Sequence, residues 1–213
     1  MLKVGLTGGI ASGKSTVGAM LVALGAQLLQ ADGLAHRLMQ PGEAVYREVV
    51  QHFGQEILNP DGTINRSRLA EAAFGRPGEQ ASTRIEELNR IVHPAVVQKQ
   101  EEWMKAAGRR DPHAVVIVEA ALILEAGAAK RFDRLLTVTC RPEQRIERWA
   151  ARMQVDPETA RREVTRRMAA QLSDDEKIKA SDFVIDNSGP LAETEKQVRN
   201  VFAALQRDAS TGD

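Results

Sequence analysis

Leu2 to Thr16 reads LKVGLTGGIASGKST, and the order of its parts decides the fold. Leu2 to Thr7 is a short run of leucine and β-branched residues that leads into glycine, as a buried strand does. Gly8, Gly13, Lys14 and Ser15 then satisfy the pattern G-x-x-x-x-G-K-[ST], whose glycines let backbone N–H groups turn inward around phosphate oxygens. Beyond it Val17, Met20, Leu21 and Leu24 recur at helical spacing, with Gly25 as a C-terminal cap. The helix that begins near Lys14 adds the positive end of its dipole, so strand, loop and helix together form a triphosphate cradle. The alternative is an ordinary glycine-rich turn with an exposed lysine, and the full motif between a strand and a helix speaks against it. In the cradle reading Gly9, Ala11, Ser12, Gly13, Lys14, Ser15 and Thr16 hold ATP. Lys14 reaches the β and γ phosphates, Ser15 offers its hydroxyl to Mg2+, and Thr16 approaches the α phosphate.

The rest of the chain alternates around this start. Ala26 to Gln30 reads as a second strand with Asp32 at its end, where open α/β sheets face their ligand crevice. From about His36 to Gly108 the alternation gives way to helices with short joints. There Tyr46, Val49, Val50 and Phe53 form one apolar stripe, Asn59-Pro60-Asp61-Gly62 a turn, and Thr83 with Glu86 a capping box before Leu88, Ile91 and Val92. Pro94 suits the first position of a further helix through Trp103 and Met104, which puts His93 at that helix's start. Strands resume at Ala114 to Val118, closed by Glu119, and at Leu135 to Thr139. Arginine-laden helices fill Arg141 to Lys177, one of them capped by Asp156 before Pro157. Phe183 to Ile185 is a last strand, residues 190–206 a closing helix, and the tail DASTGD is expected to fray. The pattern predicts an α/β fold of the P-loop NTPase type, a three-layer α/β/α parallel sheet in one kinase domain. Residues 1–35, 109–140 and 178–213 make its nucleotide-binding core, 36–108 a helical substrate insertion and 141–177 a helical lid.

Bulk composition narrows the partners. A chain of 213 residues suits one α/β domain with attachments. Its 29 basic and 29 acidic residues leave no net field for nucleic acid or an anionic membrane, so attraction for phosphate must be local. The lone Cys140 allows no intrachain disulfide and no multi-cysteine zinc site, and is expected as a small buried apolar residue. MLKVGLTGG lacks the charged lead and apolar stretch of a signal peptide, and no run has the length to span a bilayer. The expectation is a soluble, cytoplasmic monomer that acts on a small molecule, with no nucleic acid or membrane partner.

Triphosphate binding does not decide what becomes of the phosphate. A GTPase would carry an Asn-Lys-x-Asp segment, which is absent. A small-molecule kinase needs an acid near the acceptor, a substrate-holding insertion and a mobile cationic cover. Asp32 supplies the acid, or else caps a helix from Leu34. Glu119 holds a water of the magnesium shell, or else is a surface carboxylate at a strand exit, and Glu125 stays open between such roles. Arg145, Arg148 and Arg152 stand at i, i+3 and i+7 on one helical face, where they can converge on a γ phosphate. The alternative is a solvated face paired with Glu143, Glu147 and Glu163.

At this point the chain resembles the dephospho-coenzyme A kinase family across nearly its whole length and in order. GLTGGIASGKST is similar to the family's GLTGGIGSGKS, and QADGLAHRLMQPG to its D-A-D segment followed by Pro-Gly. Phe53-Gly54, ILNPDGTINRSRLAEAAF, His93-Pro94 and RRMAAQLSDDEKIKASDFVIDNSG also look like family landmarks. The resemblance implies phosphorylation of the ribose 3′-hydroxyl of dephospho-coenzyme A by ATP with magnesium, through a nucleotide core, a helical substrate domain and a lid. It implies that Asp32 is the acceptor-site aspartate, that His93 contacts substrate or bonds backbone at a helix start, and that Arg148 and Arg152 are lid arginines. Asn187 and Gly189 fall where the family lays its chain beside adenine, although a plain turn also uses Asn-Ser-Gly. Two departures stand out: EAALILE replaces the family's D-x-P-L-L-x-E, putting Glu119 and Ala121 for aspartate and proline, and the lid glutamine is Arg145 here or shifts to Gln144. A nucleoside monophosphate kinase shares loop and lid, and an ATP-binding switch that turns nothing over is the reading from another class.

Overall fold

The computed structural model describes residues 1–74 and 84–211. Among them five strands form one parallel sheet: β1 (Leu2–Thr7), β2 (Gln27–Gln30), β3 (Val115–Glu119), β4 (Arg134–Thr139) and β5 (Phe183–Asp186), in the order β2-β3-β1-β4-β5. Central β1 sets Leu6 beside Glu119 of β3 on one side and beside Leu136 of β4 on the other. The strand order reverses at β1, and a crevice opens beyond the carboxyl ends of strands at such a point. Every residue of β3 is buried, as the unbroken run VVIV requires of a strand covered on both faces.

α1 (Lys14–Ala23) and α9 (Leu191–Thr211) pack on each other and on this sheet. Val17 and Leu21 of α1 meet Val198, Phe202 and Leu205 of α9 in a core shared with Val4, Leu6, Ile117, Leu136 and Ile185. Gly25, at φ +113, ends α1 by donating its N–H to the Val22 carbonyl at 2.9 Å, as the sequence predicts. The tail expected to fray is helical as far as Thr211. Arg134 Nε donates to the Asp208 carboxylate at 2.9 Å and Ala209 is buried in the core, which anchors the last turns. α6 (Pro142–Met153) and α7 (Pro157–Ala169) form a hairpin whose own core joins Trp149, Ala160 and Val164 to Ile10 of the glycine loop. Asp156 caps α7 as expected, accepting from Thr159 N at 2.9 Å, and those hydrogen bonds lower its pKa. Ser173 and Glu176 form a reciprocal capping box that starts α8 (Asp174–Lys179).

Contacts divide the chain into two compact units, Met1–Gln30 with Met104–Asp213, and Ala31–Trp103. The second begins ahead of His36 because β2 runs into α2 (Ala31–Leu38) without a loop. Asp32 therefore lies in the first turn of α2 and does not cap a helix from Leu34. α3 (Ala44–Phe53) buries Val45, Val49 and Phe53 at i, i+4 and i+8, while Tyr46 and Val50 of the expected stripe are half-buried. Tyr46 instead donates its hydroxyl to the Gly62 carbonyl at 2.6 Å, fastening the turn at Asn59 to Gly62. Leu69 and Ala73 of α4 (Arg66–Phe74) are buried. The predicted capping box falls partly outside the described residues, at Thr83.

α5 (Arg84–Arg110) is one helix with Pro94 inside it, so His93 is exposed in mid-helix rather than at a helix start. A mid-helix proline removes one backbone bond, and the helix persists because it buries Val92 on one side of the break and Gln100, Met104 and Ala107 on the other. Replacing the exposed Pro94 by alanine restores the missing N–H donor. Pro94→Ala is expected to stabilise the protein by about 2 kcal/mol after the entropy it returns to the unfolded chain, read as a higher thermal midpoint.

Candidate active site

β1 delivers the chain into a loop with Gly8 at φ +146, Ala11 at φ +54 and Gly13 at φ +101, and α1 starts at Lys14. A Cβ at Gly13 would overlap the Asn187 amide, so neighbour and left-handed backbone both demand glycine there, and a Cβ at Gly9 would overlap the Arg145 guanidinium. Ala11 alone among the loop's three left-handed positions carries a side chain. Lys14 Nζ donates to the carbonyls of Gly8 and Gly9 at 2.9 and 3.1 Å, folding the ammonium back onto its own loop.

Ser15 Oγ donates to Glu119 Oε1 at 2.8 Å, and Gln30 Nε2 donates to Glu119 Oε2 at 3.3 Å. Strand register makes this trio: β3 pairs Glu119 with Leu6 of β1 and with Gln30 of β2. Glu119 is 8% exposed, which excludes the surface-carboxylate reading. A serine hydroxyl beside a buried carboxylate is a hard-oxygen set suited to magnesium. The bracing role of Gln30 was invisible from periodicity, because it follows only from which strands are neighbours.

The arginines on α6 divide. Arg145 is 2% exposed, ion-paired with Asp174 of α8, and donates to the Cys140 carbonyl at 3.3 Å. A buried guanidinium needs such partners, and its depth excludes the solvated-face alternative for this residue. Arg148 donates to the Ser12 carbonyl at 3.2 Å and the Asn187 carbonyl at 2.8 Å. Arg152 is exposed and lies over Trp149 at 4.9 Å, with Arg167 on the same ring at 4.7 Å. Glu163 pairs with Arg166 at 2.9 Å and with Arg167 at 3.7 Å. Asn187, 6% exposed, donates from Nδ2 to the Ser12 carbonyl at 2.9 Å and accepts from Thr194 Oγ1 at 3.0 Å. Its side chain thus holds the loop, a role that spacing alone did not reveal. A Cβ at Gly189 would press on the Glu193 carboxylate.

Glu125 has a structural place: Oε1 accepts from Lys177 Nζ at 2.9 Å and from Leu172 N at 3.0 Å, with Lys177 wholly buried. Lys177 also donates to the Ala121 carbonyl at 3.4 Å, tying the segment after β3 to α8. Cys140 is buried as expected, and that burial raises its thiol pKa against the opposing pull of Arg145. Ser15, Thr16 and Asp32 are exposed, as is His93.

Two substitutions test these contacts. Ala11→Gly removes a left-handed strain of about 1 kcal/mol and returns part of it as unfolded-chain entropy, so a net gain of about 0.5 kcal/mol is expected by thermal melting. Gln30→Leu takes the donor from Glu119 Oε2, and nucleotide affinity with magnesium present, measured by titration, is expected to fall about fivefold, the worth of one hydrogen bond.

The family model described as dephospho-CoA kinase matches residues 2–193. A dephospho-CoA kinase of Leifsonia xyli subsp. xyli is 38% identical over 206 residues, covering 97% of this chain and 100% of that protein. One of Geobacter metallireducens is 43% identical over 198 residues, covering 93% of this chain and 94% of that protein. The crystal structure of TT1252 from Thermus thermophilus superposes with a TM-score of 0.76 at 31% identity, over 96% of this chain and 97% of that one. A parallel sheet of order β2-β3-β1-β4-β5, a phosphate-type loop leading into α1 and a match of this extent have one meaning: the chain belongs to the dephospho-CoA kinase family.

Proposed function

We propose that this chain transfers the γ-phosphoryl group of ATP to the ribose 3′-hydroxyl of dephospho-coenzyme A, giving coenzyme A and ADP, the last step of coenzyme A synthesis. The observation that carries this reading is the loop from Gly8 to Thr16, turned into α1 with Lys14 folded onto it, in a chain matched to its family over residues 2–193. Residues 1–35, 109–140 and 178–213 serve as the nucleotide core, 36–108 as the substrate region and 141–177 as the lid. The chain works on this small molecule as a cytoplasmic monomer; among the described residues no helix is long and apolar enough to cross a membrane.

The N–H groups of Gly9, Ala11, Ser12, Gly13 and the first turn of α1 surround the triphosphate, with Thr16 toward the α phosphate. The Ser12 hydroxyl is buried without a protein partner, as a group awaiting a phosphate oxygen would be. Lys14 exchanges the carbonyls of Gly8 and Gly9 for β and γ oxygens. Ser15 would hold magnesium directly and Glu119 through water, with Gln30 fixing the carboxylate's far oxygen. Bound there, magnesium neutralises charge on the phosphate oxygens. Asp32 orients the 3′-hydroxyl. As the new O3′–P bond forms and the bond from γ phosphorus to the bridging oxygen breaks, the hydroxyl proton passes to Asp32 and the electron pair stays on ADP. Arg148, anchored on the Ser12 and Asn187 carbonyls, brings fixed positive charge to the loop, and exposed Arg152 is the cation that meets phosphate when the lid closes. The backbone at Asn187 and Gly189 runs beside adenine, and His93 meets the acceptor from the exposed face of α5.

Purified protein with Mg-ATP is expected to form ADP in step with coenzyme A when given dephospho-coenzyme A, and to leave AMP and CMP nearly untouched. Asp32→Asn is expected to lower kcat about a hundredfold while ATP still binds, and Lys14→Ala to lower kcat/KM at least as far. No turnover of dephospho-coenzyme A by the unaltered chain, or equal turnover of AMP, overturns the reading.

A further inference from the structure

α8 carries two ions of opposite sign on one face, Asp174 and Lys177 at i and i+3, and spends each on a different element. Asp174 pairs with Arg145, whose guanidinium lies against Gly9 of the glycine loop. Lys177, wholly buried, pairs with Glu125 at 2.9 Å, and Glu125 also accepts from Leu172 N at 3.0 Å, where the chain leaves α7 for α8. A buried ion pair is seldom what makes a fold stable, because apolar residues of the same volume often do as well without the desolvation cost. This pair is not tuned for stability either, since Glu125 Oε2 is buried without a hydrogen-bond partner among the described residues. What such a pair supplies is a fixed direction for the groups it joins.

That direction is read at the Ala121 carbonyl. It accepts from Lys177 Nζ at 3.4 Å and from Thr7 Oγ1 at 3.2 Å, Thr7 being wholly buried at the last position of β1 before the loop. Ala121 is two residues beyond Glu119, and between them Ala120 N donates to the Leu6 carbonyl at 3.0 Å. The backbone is therefore fixed at three successive residues: strand pairing sets Glu119 beside Leu6, Ala120 prolongs that pairing, and two side chains converge on Ala121. A carboxylate that must face a cation at one angle gains from a backbone that cannot turn. Glutamate gains more than aspartate would, because its side chain has one more rotatable bond to hold.

We propose that Lys177 is a positioning residue for the reaction: through the Ala121 carbonyl, with Glu125 holding its ammonium in place, it sets the backbone from which Glu119 faces magnesium. The proposal rests on the reading of Glu119 as the carboxylate of the magnesium shell. Acting through the backbone, Lys177 needs no contact with nucleotide or acceptor. Its neighbour on α8 serves the other half of the site, since Asp174 holds Arg145 beside Gly9. One short helix thus sets the phosphate loop and the magnesium carboxylate from the same base.

The test is the magnesium dependence of nucleotide binding, measured by titrating the full chain with ATP in magnesium and again in a chelator. The readout is the gain in affinity that magnesium brings, because a general loosening of the fold weakens both titrations alike. Lys177→Met keeps the volume and removes the donor, and is expected to cut that gain about fivefold, with affinity for metal-free ATP within about twofold of the unaltered chain. It also leaves Glu125 without its cation and is expected to melt lower. Lys177→Met combined with Glu125→Gln buries no lone charge, and is expected to recover the thermal midpoint but not the magnesium gain. A gain that is unchanged in Lys177→Met, or that returns with the thermal midpoint in the double variant, overturns the proposal. Thr7→Val, of the same shape, removes the other donor to the Ala121 carbonyl and is expected to lower the gain by a smaller factor; if neither Lys177 variant folds, an unchanged gain in Thr7→Val overturns the proposal. Glu119→Gln separates the two readings. If it leaves the gain intact, the magnesium assignment itself falls and the positioning role with it; if it alone lowers the gain, only the positioning role falls.

Discussion

The Ser12 carbonyl is the point on which the nucleotide unit converges. Asn187 Nδ2 and Arg148 Nη1 both donate to it, at 2.9 and 3.2 Å, from segments far along the chain. A loop bent to turn its N–H groups toward anions turns some carbonyls the other way, and those need donors when they are enclosed. Here one donor comes from the end of β5 and the other from α6, so the shape of the loop depends on the sheet and the hairpin both being in place. The same crowding fixes Gly13, where a Cβ would overlap the Asn187 amide, and Thr194 holds that amide from the other side. Ile10, buried with Trp149 and Val164, adds an apolar anchor to the polar one.

This arrangement explains what the amino-acid sequence made legible. The strand, loop and helix from Leu2 to Ala23 were readable because apolar period, glycine positions and dipole direction agree over a short stretch. β3 was readable because a strand buried on both faces must be continuously apolar. Glu119 was found at a strand exit, and Ser15 by its motif, but their hydrogen bond needs β1 and β3 to be neighbours, a fact of topology. Gln30 belongs to the same class, since a polar residue ending a strand carries no mark of what stands beside it.

The arginines of α6 illustrate a different limit. Helical spacing says that Arg145, Arg148 and Arg152 share a face; it says nothing of depth along that face. Arg145 is sunk between Gly9 and α8 because Asp174 and the Cys140 carbonyl receive its charge, Arg148 reaches two carbonyls, and Arg152 stays in solvent on an indole ring. Three equal positions in the period thus have three environments. Pro94 misleads in the opposite sense: its local preference marks a helix start, whereas the buried residues on both sides of it keep α5 continuous. Tertiary burial outweighed one missing hydrogen bond.

Cys140 stands at the end of β4 with its Sγ directed at the Ala11 carbonyl at 3.8 Å, in the most strained part of the loop. It is also the chain's lone thiol. Burial keeps it protonated and shielded, so an alkylating reagent reaches it only when the loop and the hairpin covering it separate. The protein therefore carries a native clock at its phosphate cradle: the rate at which this one sulfur is capped counts the openings of the loop, with no label added and no residue changed.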